Sequence, residues 1–253
     1  MELDALHVHV DESGYWGALD VQRKLDDTMV TKLDKDLSLE TEKFLREEGL
    51  LKDAQFLCEE NLGSHTQAKE NLVSTLPSYI LDPVDGTRGL ISGLPEWCYS
   101  LAFLQTPLAE AKENEAWIFN PMTGFSIKHE DVRQKPPHFP LPPKPWLGLV
   151  SRSEWNKGMI PPPNVQDLTL SPRGSIALKL GMLAAGGCDF VFSQKPKSLW
   201  DIAAGTILCA QRGLKMYNKD GPIDELTELR YAGPLLWCDP LAYEELSTFL
   251  FQD

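Results

Sequence analysis

Tyr79-Ile80-Leu81-Asp82-Pro83-Val84-Asp85-Gly86-Thr87 is the stretch from which the rest of the chain can be read. The apolar triplet, followed at once by turn-forming residues, reads as a buried strand, so both aspartates fall where a strand runs out into a loop. Carboxylates this close can face one hard cation if the peptide between them turns, and the Val84 carbonyl then supplies a further oxygen. Pro83 favours such a turn. Gly86 lets the backbone pass close to a ligand, and the Gly86 and Thr87 amides would cradle a phosphate if a helix starts there. A second acidic feature, Trp200-Asp201-Ile202-Ala203-Ala204-Gly205, lies far downstream.

Three more segments extend the pattern: Val30-Thr31-Lys32-Leu33-Asp34, the acidic pair Glu59-Glu60, and Gly174-Ser175-Ile176-Ala177-Leu178 followed by Ala184-Ala185-Gly186. With these motifs in this order, the chain resembles the inositol monophosphatase family from about residue 28 onwards. These are magnesium-dependent, typically lithium-sensitive phosphatases of small soluble phosphate esters. The resemblance implies an α/β fold of αβαβα layers and two or three Mg2+ ions. It implies that Glu59, Asp82 and the Val84 carbonyl hold one ion, and that Asp82, Asp85 and Asp201 hold another. Thr87, hydrogen-bonded towards Asp34, would orient the attacking water and, with Glu59, take its proton. Substrate would meet Gly86, Thr87, Gly174, Ser175, Gln194 and Asp201.

Composition fits this reading without carrying it. With 253 residues, 42% hydrophobic and 24% charged, the chain has the make-up of an ordinary globular protein. Its formal charge of −13 disfavours a nucleic-acid polymer or an anionic membrane as partner, since either attracts a basic surface. A small phosphate ester is still admitted, because bound magnesium inverts the local field. No apolar run approaches a membrane span, and Met1-Glu2-Leu3-Asp4 is acidic where a secretory signal is basic, so a cytoplasmic location is expected. Five scattered cysteines without C-x-x-C spacing read as reduced core thiols.

Periodicity gives an α/β succession. Leu37, Thr41, Phe44 and Leu45 mark a helix that Gly49 ends. Residues 54–58 form a strand delivering Glu59, and Trp97, Tyr99, Leu101 and Phe103 alternate along another. A hairpin turns at 120–124, and 147–150 and 189–192 are strands. Helices are expected over 175–185, 201–211 and 241–251. The dense prolines divide the chain into an N-terminal α/β half (1–134) with the metal motifs, a connection (135–146), and a C-terminal half (147–253) completing the site, the whole forming one unit.

Each motif has a plainer reading. Asp-Gly-Thr alone is a turn with a helix cap, Asp201 caps its helix, and Asp34-Lys35-Asp36 is a solvated charge run. His7-Val8-His9 reads as surface, Glu60 as outside the direct ligands, Trp200 and Cys58 as core. Substrate choice divides. The family's hydroxyl-binding glutamate, seven residues before the downstream aspartate, is Gln194 here. Lys195, Lys197, Lys179 and Ser151-Arg152-Ser153 resemble the 3′(2′),5′-bisphosphate nucleotidase branch, whereas Gly93-Leu94-Pro95 with Trp97 resembles the inositol phosphatase side. The expectation is a phosphoric monoester hydrolase of inositol or sugar monophosphates, with adenosine 3′,5′-bisphosphate hydrolysis as the alternative and a non-catalytic binding protein as the third reading. Gly14 and Gly17 would break the N-terminal helix that the resemblance implies, which puts in doubt the lysine supplied there, with Lys24 and Lys32 as candidate substitutes, and a homodimer is expected only by resemblance.

Overall fold

The capping box at Thr31 starts the first long helix: the Thr31 N–H and hydroxyl both donate to Asp34 Oδ2 (2.7 and 2.5 Å). The computed structural model describes residues 21–23, 29–62, 77–105, 108, 113–133, 143–160 and 167–251. His7, His9, Lys24 and most of the Pro-rich connection lie outside them.

In chain order the elements are β1 (Val21–Arg23), β2 (Met29–Thr31), α1 (Lys32–Glu47), β3 (Gln55–Cys58), α2 (Glu59–Leu62), β4 (Ser78–Asp85), α3 (Thr87–Ile91), β5 (Cys98–Leu104), β6 (Glu115–Asn120), β7 (Phe125–Lys128) and α4 (His129–Arg133). There follow β8 (Trp146–Ser151), α5 (Arg152–Asn156), β9 (Leu168–Arg173), α6 (Ile176–Ala185), β10 (Phe190–Ser193), β11 (Lys197–Ser198), α7 (Leu199–Gln211), β12 (Lys215–Asn218), β13 (Gly221–Ile223), β14 (Arg230–Tyr231), β15 (Leu235–Cys238), a 3-10 turn (Pro240–Ala242) and α8 (Tyr243–Leu250).

Two sheets dominate: β3-β4-β5-β6-β7, and β13-β12-β15-β10-β8-β9. The period-two alternation of strand side chains assigns their faces. From the first sheet Tyr79, Leu81, Tyr99, Leu101, Trp117 and Phe119 pack with Leu33, Leu37 and Leu45 of α1. The alternate residues Ile80, Ala102 and Ile118 point the other way, into a core shared with α6, α7 and with Leu149, Val191, Leu235 and Trp237 of the second sheet. That sheet's outer residues Trp146, Val150, Phe190, Phe192 and Leu236 are covered by Leu246 of α8. The layers therefore run α, β, α, β, α, as expected. The middle helices pack closely because Gly205 of α7 leaves room for Leu180 of α6; a Cβ there would lie 2.3 Å from the leucine.

Some elements depart from the sequence reading. The last helix was expected from 241, but Pro240 and the Asp239 carboxylate, which accepts from the Leu241 N–H (2.8 Å), make its start a 3-10 turn. Strands β9 and β12 to β15 were not anticipated: most are only two to four residues long, too short for periodicity to register. Among the described residues no helix is long and apolar enough to cross a membrane.

Candidate active site

Asp82 and Asp85 stand three residues apart, so in a regular strand they would face opposite sides. The register between β4 and β5 shifts here: Asp82 pairs with Ser100 and Asp85 with Cys98, so four residues of one strand oppose three of the other. Since Ser100 and Cys98 share a face, the bulge turns both aspartates to one side. The Val84 N–H donates to Asp82 Oδ1 (3.0 Å) and fixes the turn. Asp201, at the start of α7, completes the group: carboxylate oxygens of Asp82, Asp85 and Asp201 lie within 4.8 Å of one another.

Each of the three commits one oxygen to the protein. Asp82 Oδ1 accepts from Val84. Asp85 Oδ2 accepts from Ser175 Oγ (2.6 Å) and the Ala177 N–H (2.5 Å) at the start of α6, and Asp201 Oδ2 accepts from the Ser198 N–H (2.9 Å). The capping reading of Asp201 and its reading as a ligand are therefore compatible, because the cap takes one oxygen. None of the three forms an ion pair with a described lysine or arginine. Burial, then the charges of Glu59, Asp85, Asp201 and Asp34, hold the Asp82 carboxyl well above the usual carboxylate range. Burial raises Asp85 too, against the Ser175 and Ala177 hydrogen bonds and the charges of Lys179 and Lys197. Asp201 is pushed up to about 6 by burial and by Asp85, against Lys197. Three crowded all-oxygen donors of this kind fit a hard divalent cation, which supplies the missing countercharge.

Beside this trio, Thr87 Oγ1 lies 3.1 Å from the Val84 carbonyl and 3.4 Å from Asp34 Oδ1. Asp34 is 1% exposed and caps α1 with its other oxygen, so it is no solvated charge. Helix α3 starts at Thr87, as the motif requires, and Glu59 opens α2 on the cleft wall.

The cleft has a volume of about 460 Å³. Glu59, Asp82, Val84, Asp85, Gly86, Thr87, Gly174, Ser175 and Asp201 all line it, and Asp34 sits behind Thr87. Gln194 and Lys195 are not among its lining residues; their backbone N–H groups turn instead to Glu154 (2.8 and 3.3 Å). Lys32 is exposed and paired with Asp36 (2.9 Å), away from the cleft. Cys58 is a buried thiol against Ser38 Oγ (3.1 Å), and burial pushes it up to about 11. Trp200 packs against the core.

Sequence reading missed two carboxylates that hold the cleft's surroundings together, Glu96 in its lining and Glu154 beside it. Glu96 accepts from Arg152 Nε (3.1 Å) and Nη2 and from the Gly174 N–H (2.8 Å). Burial would raise the Glu96 carboxyl, but these hydrogen bonds and the charges of Arg152 and Arg173 hold it below the usual range. Cβ atoms on Gly86 and Gly174 would lie 2.7 and 2.8 Å from the Glu96 carbonyl oxygen, so both glycines are required by close backbone packing. Glu154 is buried and gathers Ser193 Oγ (3.0 Å), the amides of 194 and 195, and Lys197 Nζ (3.5 Å). Lys179, 2% exposed, lines the cleft; burial and Lys197 lower it to about 8, against Asp85, Glu154 and Glu96. A charged residue between Pro95 and buried Trp97 was the one available signal for Glu96.

The sequence model of the inositol monophosphatase family matches residues 7–128, the segment that carries Asp34, Glu59 and the Asp82-to-Thr87 run. Over that segment, just under half of its length, the chain is similar to the family, as its motifs led one to expect. The chain is 24% identical over 181 residues to inositol monophosphatase 3 of Solanum lycopersicum, covering 62% of each chain. It is 30% identical over 155 residues to a fructose-1,6-bisphosphatase of Pyrococcus furiosus, covering 56% of each. These matches therefore span less than two thirds of the relatives' own length. The fold is shared more widely. A Thermotoga maritima IMPase superposes with a TM-score of 0.68 at 19% identity over 97% of this chain and 96% of that one. An IMPase/NADP phosphatase solved with Mg2+ and phosphate gives 0.67 at 18% identity over 99% and 91%.

Proposed function

We propose that the chain is a Mg2+-dependent phosphomonoesterase that hydrolyses a small soluble phosphate ester, inositol monophosphate or a related sugar phosphate, by attack of water on phosphorus. The observation that carries this is the trio Asp82, Asp85 and Asp201, two buried carboxylates and one partly buried, within 4.8 Å of one another, unpaired with any described lysine or arginine and lining a cleft. Asp82, Asp85 and Asp201 would hold one ion, and Glu59, Asp82 and the Val84 carbonyl a second. Bound magnesium supplies Lewis acidity towards the phosphoryl oxygens and makes water acidic enough to react near neutral pH.

The chain's own groups do the orienting. The Thr87 hydroxyl has a single proton, directed to Asp34 or the Val84 carbonyl, so its lone pairs remain to accept a hydrogen bond from the attacking water. Glu59 is the base for that water's proton. The Gly86-Thr87 and Gly174-Ser175 segments border the phosphate, and Gln194 remains outside the lining.

A second reading, hydrolysis of adenosine 3′,5′-bisphosphate, is favoured by one observation: Arg88, Arg152, Arg173, Lys179 and Lys197 all line the cleft. Two proteins similar to this chain, a fructose-1,6-bisphosphatase and an IMPase/NADP phosphatase complexed with NADP, are named for molecules that carry more than one phosphate. Lithium inhibition belongs to the same proposal, as in the lithium-soaked inhibitory complex of a Staphylococcal inositol monophosphatase-1. The deciding experiment is phosphate release with and without magnesium, comparing inositol 1-phosphate with adenosine 3′,5′-bisphosphate. Magnesium-dependent release from the cyclitol supports the first reading, preference for the nucleotide supports the second, and equal release without magnesium refutes both.

A further inference from the structure

The turn at Gly174-Ser175 is held from two sides. On one, Glu96 Oε2 accepts the Gly174 N–H (2.8 Å). On the other, Lys179 reaches back from the first turn of α6 and its Nζ donates to both the Gly174 and Ser175 carbonyls (3.0 and 3.1 Å). Ser175 is the one described residue other than glycine with positive φ (34°), a conformation that persists only where its surroundings impose it. A buried ammonium placed on two main-chain carbonyls is such a surrounding, because desolvating the charge is tolerable only if those bonds are kept.

The turn in turn sets a metal ligand. Ser175 Oγ and the Ala177 N–H both donate to Asp85 Oδ2, leaving Oδ1 without a hydrogen bond from any described residue. We propose that Lys179 is a positioning residue for the metal: by clamping the Gly174 and Ser175 carbonyls, it makes Ser175 and Ala177 aim Asp85 at the ion. This rests on reading Asp82, Asp85 and Asp201 as a magnesium site. Its role is distinct from that of a cation contacting the substrate.

The test is Mg2+ binding by titration calorimetry, which needs no turnover, together with the magnesium dependence and KM of phosphate release. It compares the wild type with Lys179→Met, Ser175→Ala and the double variant. Lys179→Met is expected to weaken magnesium binding about tenfold or more, the loss typical of residues that orient a metal ligand. Ser175→Ala should act in the same direction, and the double variant should lose less than the product of the two single losses, because both act through Asp85. In Lys179→Met, KM measured at saturating magnesium should hardly move. Wild-type magnesium affinity in Lys179→Met with a raised KM overturns the proposal and makes Lys179 a substrate contact; multiplicative losses also overturn it. If Lys179→Met does not fold, Lys179→Gln, which keeps N–H donors for the carbonyls, takes its place with a smaller expected loss, and unchanged affinity there counts against the proposal equally. A wild type that binds no magnesium overturns the metal site itself, whereas a wild type that binds while the variants match it overturns only the role of Lys179.

Discussion

Two sets of carboxylates at and beside one cleft stand in opposite physical states. Asp82, Asp85 and Asp201 crowd together without an ion pair to any described lysine or arginine, and burial and mutual repulsion drive their protons on. Glu96, also in the cleft lining, holds Arg152 and the Gly174 amide, and Glu154, outside the lining, collects two amides, a hydroxyl and Lys197. The second set is complete within the protein and ties the wall together. The first is complete only with something added. Acidic content alone therefore says little; the number of internal donors separates a ligand site from a brace.

Replacing single residues breaks this contrast in opposite directions. Asp85→Asn or Asp201→Asn should lower magnesium-dependent turnover by about a thousandfold or more, equivalent to about 4 kcal/mol in the barrier, while the metal-free Tm at pH 7.5 does not fall. Turnover assays and thermal melts of the same samples check both halves. Glu154→Ala should do the reverse in character: it strands two amides and a partly buried lysine, and a stability loss of about 3 kcal/mol is expected from denaturant unfolding.

The pH dependence sharpens the contrast. Asp201 titrates near 6 in the folded chain against 3.8 unfolded. The folded state therefore binds more protons in that window, and its metal-free stability falls as pH rises from about 4 to 6. Magnesium requires the ionised form, so the rise in Tm on adding it should grow over the same interval; melts at pH 4.5, 6 and 7.5 with and without magnesium measure this. The smallest effect should come from Glu96→Gln. It keeps an acceptor for Gly174 but weakens a half-exposed ion pair, so about 1 kcal/mol of stability is expected to be lost, as read by chemical denaturation.

What the sequence disclosed follows the same division. The magnesium ligands are proposed from runs whose geometry is local: a strand end at Asp82 and a helix start at Asp201. The layer order came from the family resemblance, whereas long alternating strands such as β5 and strongly amphipathic α1 were legible because they carry their periodicity in one stretch. Glu96 and Glu154 were not foreseen, since their partners lie 56 and 78, and 39 to 43, residues away and depend on how the two sheets pack. Gln194, expected at the substrate by counting back from Asp201, has its backbone N–H on Glu154 and lies outside the cleft lining, which Lys197 joins, an arrangement that again depends on distant partners.

The most direct test of the account is calorimetric titration of magnesium into the metal-free chain and into Asp82→Asn, in two buffers of different ionisation enthalpy at pH 6. The account predicts saturable binding to the wild type with release of protons, and loss of that binding in the variant. No binding to the wild type at millimolar magnesium, or the same binding in both chains, would contradict it.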